Sequence, residues 1–460
     1  MGNSVISFWY IKALIFSLGV ALSTPALFAF SLQTPDDTLV LNLEKALSIA
    51  LSENPMIKIA NKEVQRVDYA RKEAWSALFP TVSADGTFTR NVKLPVLFLP
   101  DDIFGPGTGG PMEMGYKNSF NGNITASVPL VAISLFRNIR ISEQDVKASL
   151  ELARSSKLSM EAEVRNAYYT LLLANDSYQV MRRSVANAEA NLRNIRNMFN
   201  QGLVAEYDVI RSEVQVRNLK PALIQSENAI RLSQIRIKVL LGIGQQVFIK
   251  ILENLADFEG DVMFPGQEGD YDLSANTDLI QLDMQWEKLK RQFKLVRSQR
   301  YPLLAGFANY QIMAQSNDFA FGDYDWVRPF SVGMQLQIPI FKGFAIRHQE
   351  KQVSIGLEQM QIQREYLERN LSLQVRNAFT NMQKALEQIE SNKEGVRQAE
   401  RGYSIAQTRY HTGSGTLLEL NDAEVALTQA KLNLNQAMYD YLLAQTEYNK
   451  ILGRETDMKE

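Results

Sequence analysis

The chain has 460 residues, a formal net charge of −2 and no cysteine. Near-neutrality offers no basic surface for nucleic acid. The missing thiols exclude disulfides, thiolate metal sites, a cysteine nucleophile and a lipid-modified N-terminal cysteine.

The first thirty residues carry Lys12 as their only charge, followed by an apolar run from Ala13 to Phe30 with Pro25 near its end. This is read as a secretory signal peptide over 1–30, cut around Ala29 to Ser31, with an uncleaved anchor as the alternative. No later stretch is long and apolar enough for a transmembrane helix, so any membrane-spanning part must be built from strands.

From residue 31 the chain is written twice. Val164-Arg-Asn-Ala-Tyr168 returns as Val375-Arg-Asn-Ala-Phe379, Gly202 as Gly413, and Leu241-Gly242 as Leu452-Gly453, each 211 residues on. Leu51-Ser-Glu-Asn54 matches Leu273-Ser-Ala-Asn276, and Pro80 matches Pro302, at an offset of 222. The spacing predicts a first repeat over 31–242, a linking segment over 243–272 and a second repeat over 273–460. Each repeat reads helix, two strands, very long helix, break, shorter helix. The hairpins fall at 80–131 and 302–340, and the breaks near 202 and 413. The fold class is therefore mainly α with a small β part.

In the first hairpin Phe120, Gly122, Ile124, Ala126 and Val128 alternate with Asn121, Asn123, Thr125 and Ser127. In the second, Phe330, Val332, Met334, Leu336, Ile338 and Ile340 alternate with Ser331, Gly333, Gln335 and Gln337. Period two with one apolar face fits strands between lipid and water, although a soluble sandwich shows the same period. The partner strands, Thr81 to Val92 and Leu303 to Met313, alternate less cleanly, and Phe307 breaks the pattern. The glycine-rich segment from Pro100 to Pro111 lacks the Lys-Ser/Thr ending of a phosphate loop and reads as a hairpin tip.

Arg137 to Gln201 has neither Gly nor Pro and predicts a helix of about 95 Å, with Arg347 to Thr412 as its copy. In the shorter helix Leu420, Ala423, Leu427, Ala430, Leu434, Ala437, Tyr441, Ala444, Tyr448 and Ile451 form a heptad seam. Val209, Ser212, Val216, Leu219, Leu223 and their successors repeat it in the first copy, where Pro221 predicts a kink. The breaks turn each long helix back on itself, at the end far from the strands. Thr416 and Glu419 have capping-box spacing. Four strands cannot close a membrane barrel, for which about eight is the usual minimum, so the chain is expected to associate with copies of itself.

The duplicated plan, the strand ends Val128-Pro129-Leu130 and Ile338-Pro339-Ile340, and the two tips together resemble the TolC-like outer-membrane efflux protein family. The tips are Gln201-Gly-Leu-Val-Ala-Glu-Tyr-Asp208 and Tyr410-x-x-Gly413 leading to Glu419 and Asp422. The resemblance implies a homotrimer whose four strands per chain close a 12-stranded barrel in outer-membrane lipid, above a long α-helical periplasmic barrel. It implies an exit duct for efflux or type I secretion, with a small belt contributed by Ile243 to Asp272. The implied partners are a periplasmic adaptor and an inner-membrane pump or ABC transporter, with the tips Gly202, Leu203, Val204, Gly413, Ser414 and Gly415 as adaptor contacts. It also places a periplasmic gate at Glu419, Asp422, Asp208 and Tyr410. The family's basic residue after the second tip glycine falls on Gly415 here, so the closing network must differ. No enzyme, cofactor, metal or nucleic-acid site is expected. The two histidines, His348 and His411, lie far apart with no nucleophile or metal constellation around either. A secreted structural coiled coil is the alternative reading, which leaves the strand hairpins unexplained.

Overall fold

The computed structural model describes residues 38–99, 110–262, 269 and 271–454. The expected signal peptide and most of the hairpin tip at 100–111 lie outside them. The helices are α1 (Leu43–Glu53), α2 (Pro55–Ser76), α3 (Ile133–Asn200), α4 (Glu206–Leu241), α5 (Thr277–Ser298), α6 (Ala345–His411) and α7 (Leu417–Ile451). The strands are β1 (Thr38–Leu41), β2 (Thr81–Arg90), β3 (Val96–Leu99), β4 (Gly110–Glu113), β5 (Asn118–Val131), β6 (Phe248–Ile251), β7 (Leu303–Ser316) and β8 (Phe330–Gln337).

The main sheet has the order β2-β5-β7-β8, antiparallel throughout, so the two copies join through β5 and β7. The register sorts the side chains by chemistry. One row runs Val82, Ala126, Ala308, Val332, and the next runs Ala84, Ile124, Tyr310, Phe330. The opposite face carries rows such as Ser83, Thr125, Asn309, Ser331. Phe307, the residue that breaks the alternation, lies on this polar face opposite Gly333. A Cβ at Gly333 would come within 2.7 Å of the Phe307 ring, so the bare glycine makes room for it.

The helices α3 and α6 have 68 and 67 residues, roughly 100 Å each. Each folds back onto the shorter helix that follows it, giving the hairpins α3–α4 and α6–α7. None of the predicted seam residues on α4 or α7 is exposed. The helix α4 runs through Pro221 without a break in its assignment, because a proline removes one backbone donor while neighbouring turns stay bonded.

Each shorter helix ends against the start of another helix, and one asparagine serves both. The buried Asn54 donates Nδ2 to the Leu240 carbonyl at 2.7 Å, while its Oδ1 accepts from the Met56 amide at 2.7 Å. Asn276 does the same between Ile451, at 2.6 Å, and the amides of Asp278 and Leu279, both at 3.0 Å. One amide thus satisfies an orphan carbonyl of one helix and orphan donors of the next. The two joints set α4 end to end with α2, and α7 with α5.

The core lies at this level. Leu41, Leu47, Tyr168, Leu172, Ile237, Leu241, Leu255 and Tyr441 pack together. Parallel pairing of β1 with β6 ties the N-terminal segment to the linker between the repeats. Tyr168 donates its hydroxyl to Glu253, and the Leu255 amide donates to Asp176 at 2.9 Å. Burial, then the Glu253 carboxylate, push the Tyr168 phenol up.

Candidate functional site at the hairpin tips

Both long helices stop with the same backbone device. Gly202 and Gly413 adopt φ of 74° and 72°, the left-handed region that glycine enters without steric cost. Leu203 N donates to Met198 O at 2.9 Å and Gly202 N to Phe199 O at 2.8 Å. Ser414 N donates to Arg409 O at 2.8 Å and Gly413 N to Tyr410 O at 3.1 Å. These are Schellman pairs, which satisfy carbonyls the helix end would leave bare.

The restart differs between copies. Thr416 accepts from Glu419 N at 3.2 Å and its own amide faces Glu419 Oε2 at 3.4 Å, so the expected capping box is present. In the first tip Ala205 is the N-cap and has no side chain to offer. There, Glu206 and Asp208 in the first turn answer the positive end of the helix.

Sequence reasoning missed Arg409. Its Nη1 lies 3.5 Å from Glu419 Oε2, and Nη2 donates to Ser414 O at 3.1 Å. Arg409 thus brings a cation beside Gly415 from within the same hairpin, about one turn before the break. Gly415 has a steric reason as well, since a Cβ there would sit 3.0 Å from Arg409 Cβ and 3.2 Å from its carbonyl carbon. The signal available in the sequence was the basic residue preceding Tyr410, but only the turn geometry shows that it folds back over Gly415.

Glu419 and Asp422 are exposed and share the face of α7 opposite the buried Leu417, Leu420 and Glu424. Asp208 and Tyr410 come from different hairpins yet face each other: burial, then the Asp208 charge, raise the Tyr410 phenol above its usual range. Leu203 in the turn and Tyr207, Ile210 and Val214 at helical spacing on the first turns of α4 are exposed apolar residues at the tip. Leu203 is 65% exposed, whereas Val204 is half-buried.

Glu424 also escaped the sequence reading. It is 3% exposed, and neither carboxylate oxygen has a hydrogen-bond partner of good geometry among the described residues. Burial pushes its pKa up to about 7, with Asn187 near enough to offset part of the effect. Its surroundings are Asn187 of α3 and Tyr403 of α6, whose phenol is raised by burial and by the charge of Glu424.

The other end of the molecule is built for a different solvent. Phe88, Phe120, Phe319, Phe321, Tyr324 and Trp326 cluster at the far rim of the sheet. Exposed Phe79, Tyr301, Phe341 and Phe344 ring the end nearest the helices. Two aromatic girdles around an apolar band are the signature of strands that cross a bilayer. No helix among the described residues is long and apolar enough to cross one.

Comparison with known proteins agrees with this architecture. Outer membrane protein TolC of Escherichia coli is 22% identical over 371 residues, covering 76% of this chain and 74% of TolC. The toluene efflux pump outer membrane protein TtgC of Pseudomonas putida is 23% identical over 427 residues, covering 89% and 82%. The outer membrane channel CmeC of Campylobacter jejuni superposes with a TM-score of 0.68 at 17% identity, covering 89% of this chain and 85% of CmeC. The sequence model of the outer membrane efflux protein family matches residues 46–243 and 272–454, the greater part of both repeats, and the chain belongs to that family.

Proposed function

We propose that three copies of this chain close into one duct, with the tips as its periplasmic gate. The chain is an exit duct of the outer membrane, serving efflux or type I secretion. The observation that carries closure is the open sheet. Its end strands β2 and β8 have no partner on their outer edges among the described residues, and unpaired edges do not persist in a bilayer. The four strands alternate in direction, so β8 of one copy meets β2 of the next antiparallel, as every other pair in the sheet does. Three copies of four strands make twelve, an even number suited to an up-and-down barrel. The apolar rows then face lipid and the polar rows line the pore.

At the other end the ring brings three copies of Glu419 and Asp422 together as two tiers of carboxylates. Like charges around a narrow passage attract cations and repel anions. The exposed Leu203, Tyr207, Ile210 and Val214 and the glycine turns are the surface offered to a periplasmic adaptor, which couples the duct to an inner-membrane pump or ABC transporter. Native mass measurement of the detergent-solubilised protein tests closure. A trimer mass is expected, and a stable folded monomer overturns it.

A further inference from the structure

Just below the sheet, between α3 and α5, lies a groove of about 280 Å³ lined by Arg137, Arg140, Glu143, Glu287, Arg291 and Lys294. Arg291 spans it, donating Nη1 to the Arg140 carbonyl at 2.8 Å. Glu287 stands 3.6 Å from both Lys290 and Arg291, so its charge is already shared. Arg137, Arg140 and Lys294 make no ion pair or side-chain hydrogen bond among the described residues. Four cations therefore converge against two carboxylates, and three of the cations are uncommitted.

The height of the groove is set by the fold. The helix α3 begins right after β5, which places Arg137 and Arg140 about 6 and 10 Å beyond the helix start at roughly 1.5 Å per residue. Lys294 and Arg291 sit at a similar depth before the end of α5 at Ser298. The headgroup layer occupies roughly 5–8 Å on each side of the hydrocarbon, so these cations lie at and just below it. Exposed Phe136, Tyr301 and Phe344 mark the boundary beside them.

Arg140, Lys147, Arg154, Glu161 and Tyr168 recur every seven residues and share one stripe of α3. Lower on that stripe, Tyr168 meets Glu253, and Arg154 donates to the Ala275 carbonyl at 2.8 Å. Glu253 lies in the linking segment and Ala275 at the joint between α7 and α5, so this side of α3 carries added chain, and in a closed duct added chain sits outside the wall.

We propose that this groove holds the headgroup phosphate of an anionic phospholipid in the periplasm-facing leaflet of the outer membrane. The assignment rests on the barrel reading above, because that reading puts the leaflet at this height. Each chain carries one site, and the bound lipid fixes the depth at which the strands give way to helices.

The test is native mass spectrometry of the purified protein titrated with dioleoyl phosphatidylglycerol or dioleoyl phosphatidylcholine. Wild type should retain roughly tenfold more of the anionic lipid, since each basic residue near a membrane surface contributes about 1 kcal/mol and the two carboxylates cancel part of it. Arg137→Gln/Arg140→Gln/Lys294→Gln should fall to the phosphatidylcholine level. Arg182→Gln/Arg183→Gln/Arg217→Gln, an equal loss of charge far down the helices, should leave retention unchanged. Glu143→Gln/Glu287→Gln should raise it. Equal retention of both lipids by wild type, or undiminished phosphatidylglycerol on the triple groove variant, overturns the proposal. So does full displacement by millimolar inorganic phosphate, which would make the groove a soluble-anion site. The groove lies within one chain, so lipid is scored per chain, while the protein mass in the same spectra judges trimer closure separately.

Discussion

At the residue scale, the tips depend on a few charges whose surroundings differ sharply. Asp422 is exposed on the solvent face of α7, beyond the first turn where a capping role would explain an acid. Its counterpart in the first repeat is Arg211, so the acid is not a requirement of the shared helix pattern. Asp422→Ala should lower cation preference and weaken block by multivalent cations in planar-bilayer recordings. Equal selectivity and block in wild type and variant would return Asp422 to an ordinary solvated position. Glu424 behaves oppositely because it is buried. Its folded pKa, about 7, exceeds the ordinary 4.5, so folding favours the protonated acid. The contribution is complete below about pH 4.5 and is lost as pH rises through 7, on the order of 3 kcal/mol from the size of the shift. Glu424→Gln keeps the shape without the titration. Hydrogen exchange in the α6–α7 hairpin should quicken from pH 5 to pH 8 in wild type, after correction for the intrinsic rate, and stay level in the variant. Parallel pH slopes would show that Glu424 is solvated in the assembled duct.

At the element scale, two glycines with nearly the same φ have different tolerances. At Gly413, φ 72°, nothing among the described residues lies within 4 Å of the place an added methyl would take, whereas at Gly453, φ 67°, the added carbon would collide with the Ala275 carbonyl. Gly413→Ala should therefore cost about 1 kcal/mol, the left-handed penalty alone. Gly453→Ala must also push apart the α7–α5 joint, and should cost more than about 2 kcal/mol. Thermal unfolding of the two variants measures the difference, and equal losses would show that the joint is loose. The exposed apolar residues at the first tip give the second element-level prediction. Leu203 is 65% exposed, so packing within the hairpin does not explain an apolar residue there. Leu203→Glu should abolish export while the trimer still forms and inserts. Export at the wild-type level would argue against an adaptor contact at Leu203.

At the scale of the whole molecule, a single chain leaves too much apolar surface for a finished structure. On the helices Ile224, Leu232, Val239, Ile362, Tyr366 and Leu373 are exposed, and on the sheet Val332, Met334 and Leu336 are exposed. The two sets call for different covers. The proposed ring would supply both, with lipid against the apolar face of the sheet and a neighbouring hairpin against the helix flanks. Closure therefore answers both the open sheet edges and the bare helix flanks. A trimer mass from native spectrometry would account for the two together. A folded monomer in detergent would leave the helix flanks without an explanation.

Much of this plan was legible in the sequence because its signals are local or periodic. Strand alternation from Phe330 to Leu336, the heptad seam from Leu420 to Ile451 and the two glycine breaks each follow from neighbours along the chain. The family resemblance rested on the same features. What the sequence could not decide were contacts made across large separations. Phe307 looks like an error of alternation until the register sets it over Gly333. Asn54 and Asn276 look like ordinary caps until each is seen to hold a second helix end. Arg409 and Gly415 make sense only once the turn folds one over the other, and Glu424 is an ordinary helix acid until α3 and α6 close around it. Periodicity fixes which face of an element is apolar, because it depends on backbone geometry alone. Which side chains then meet depends on how separate elements dock, and that is settled by packing in three dimensions.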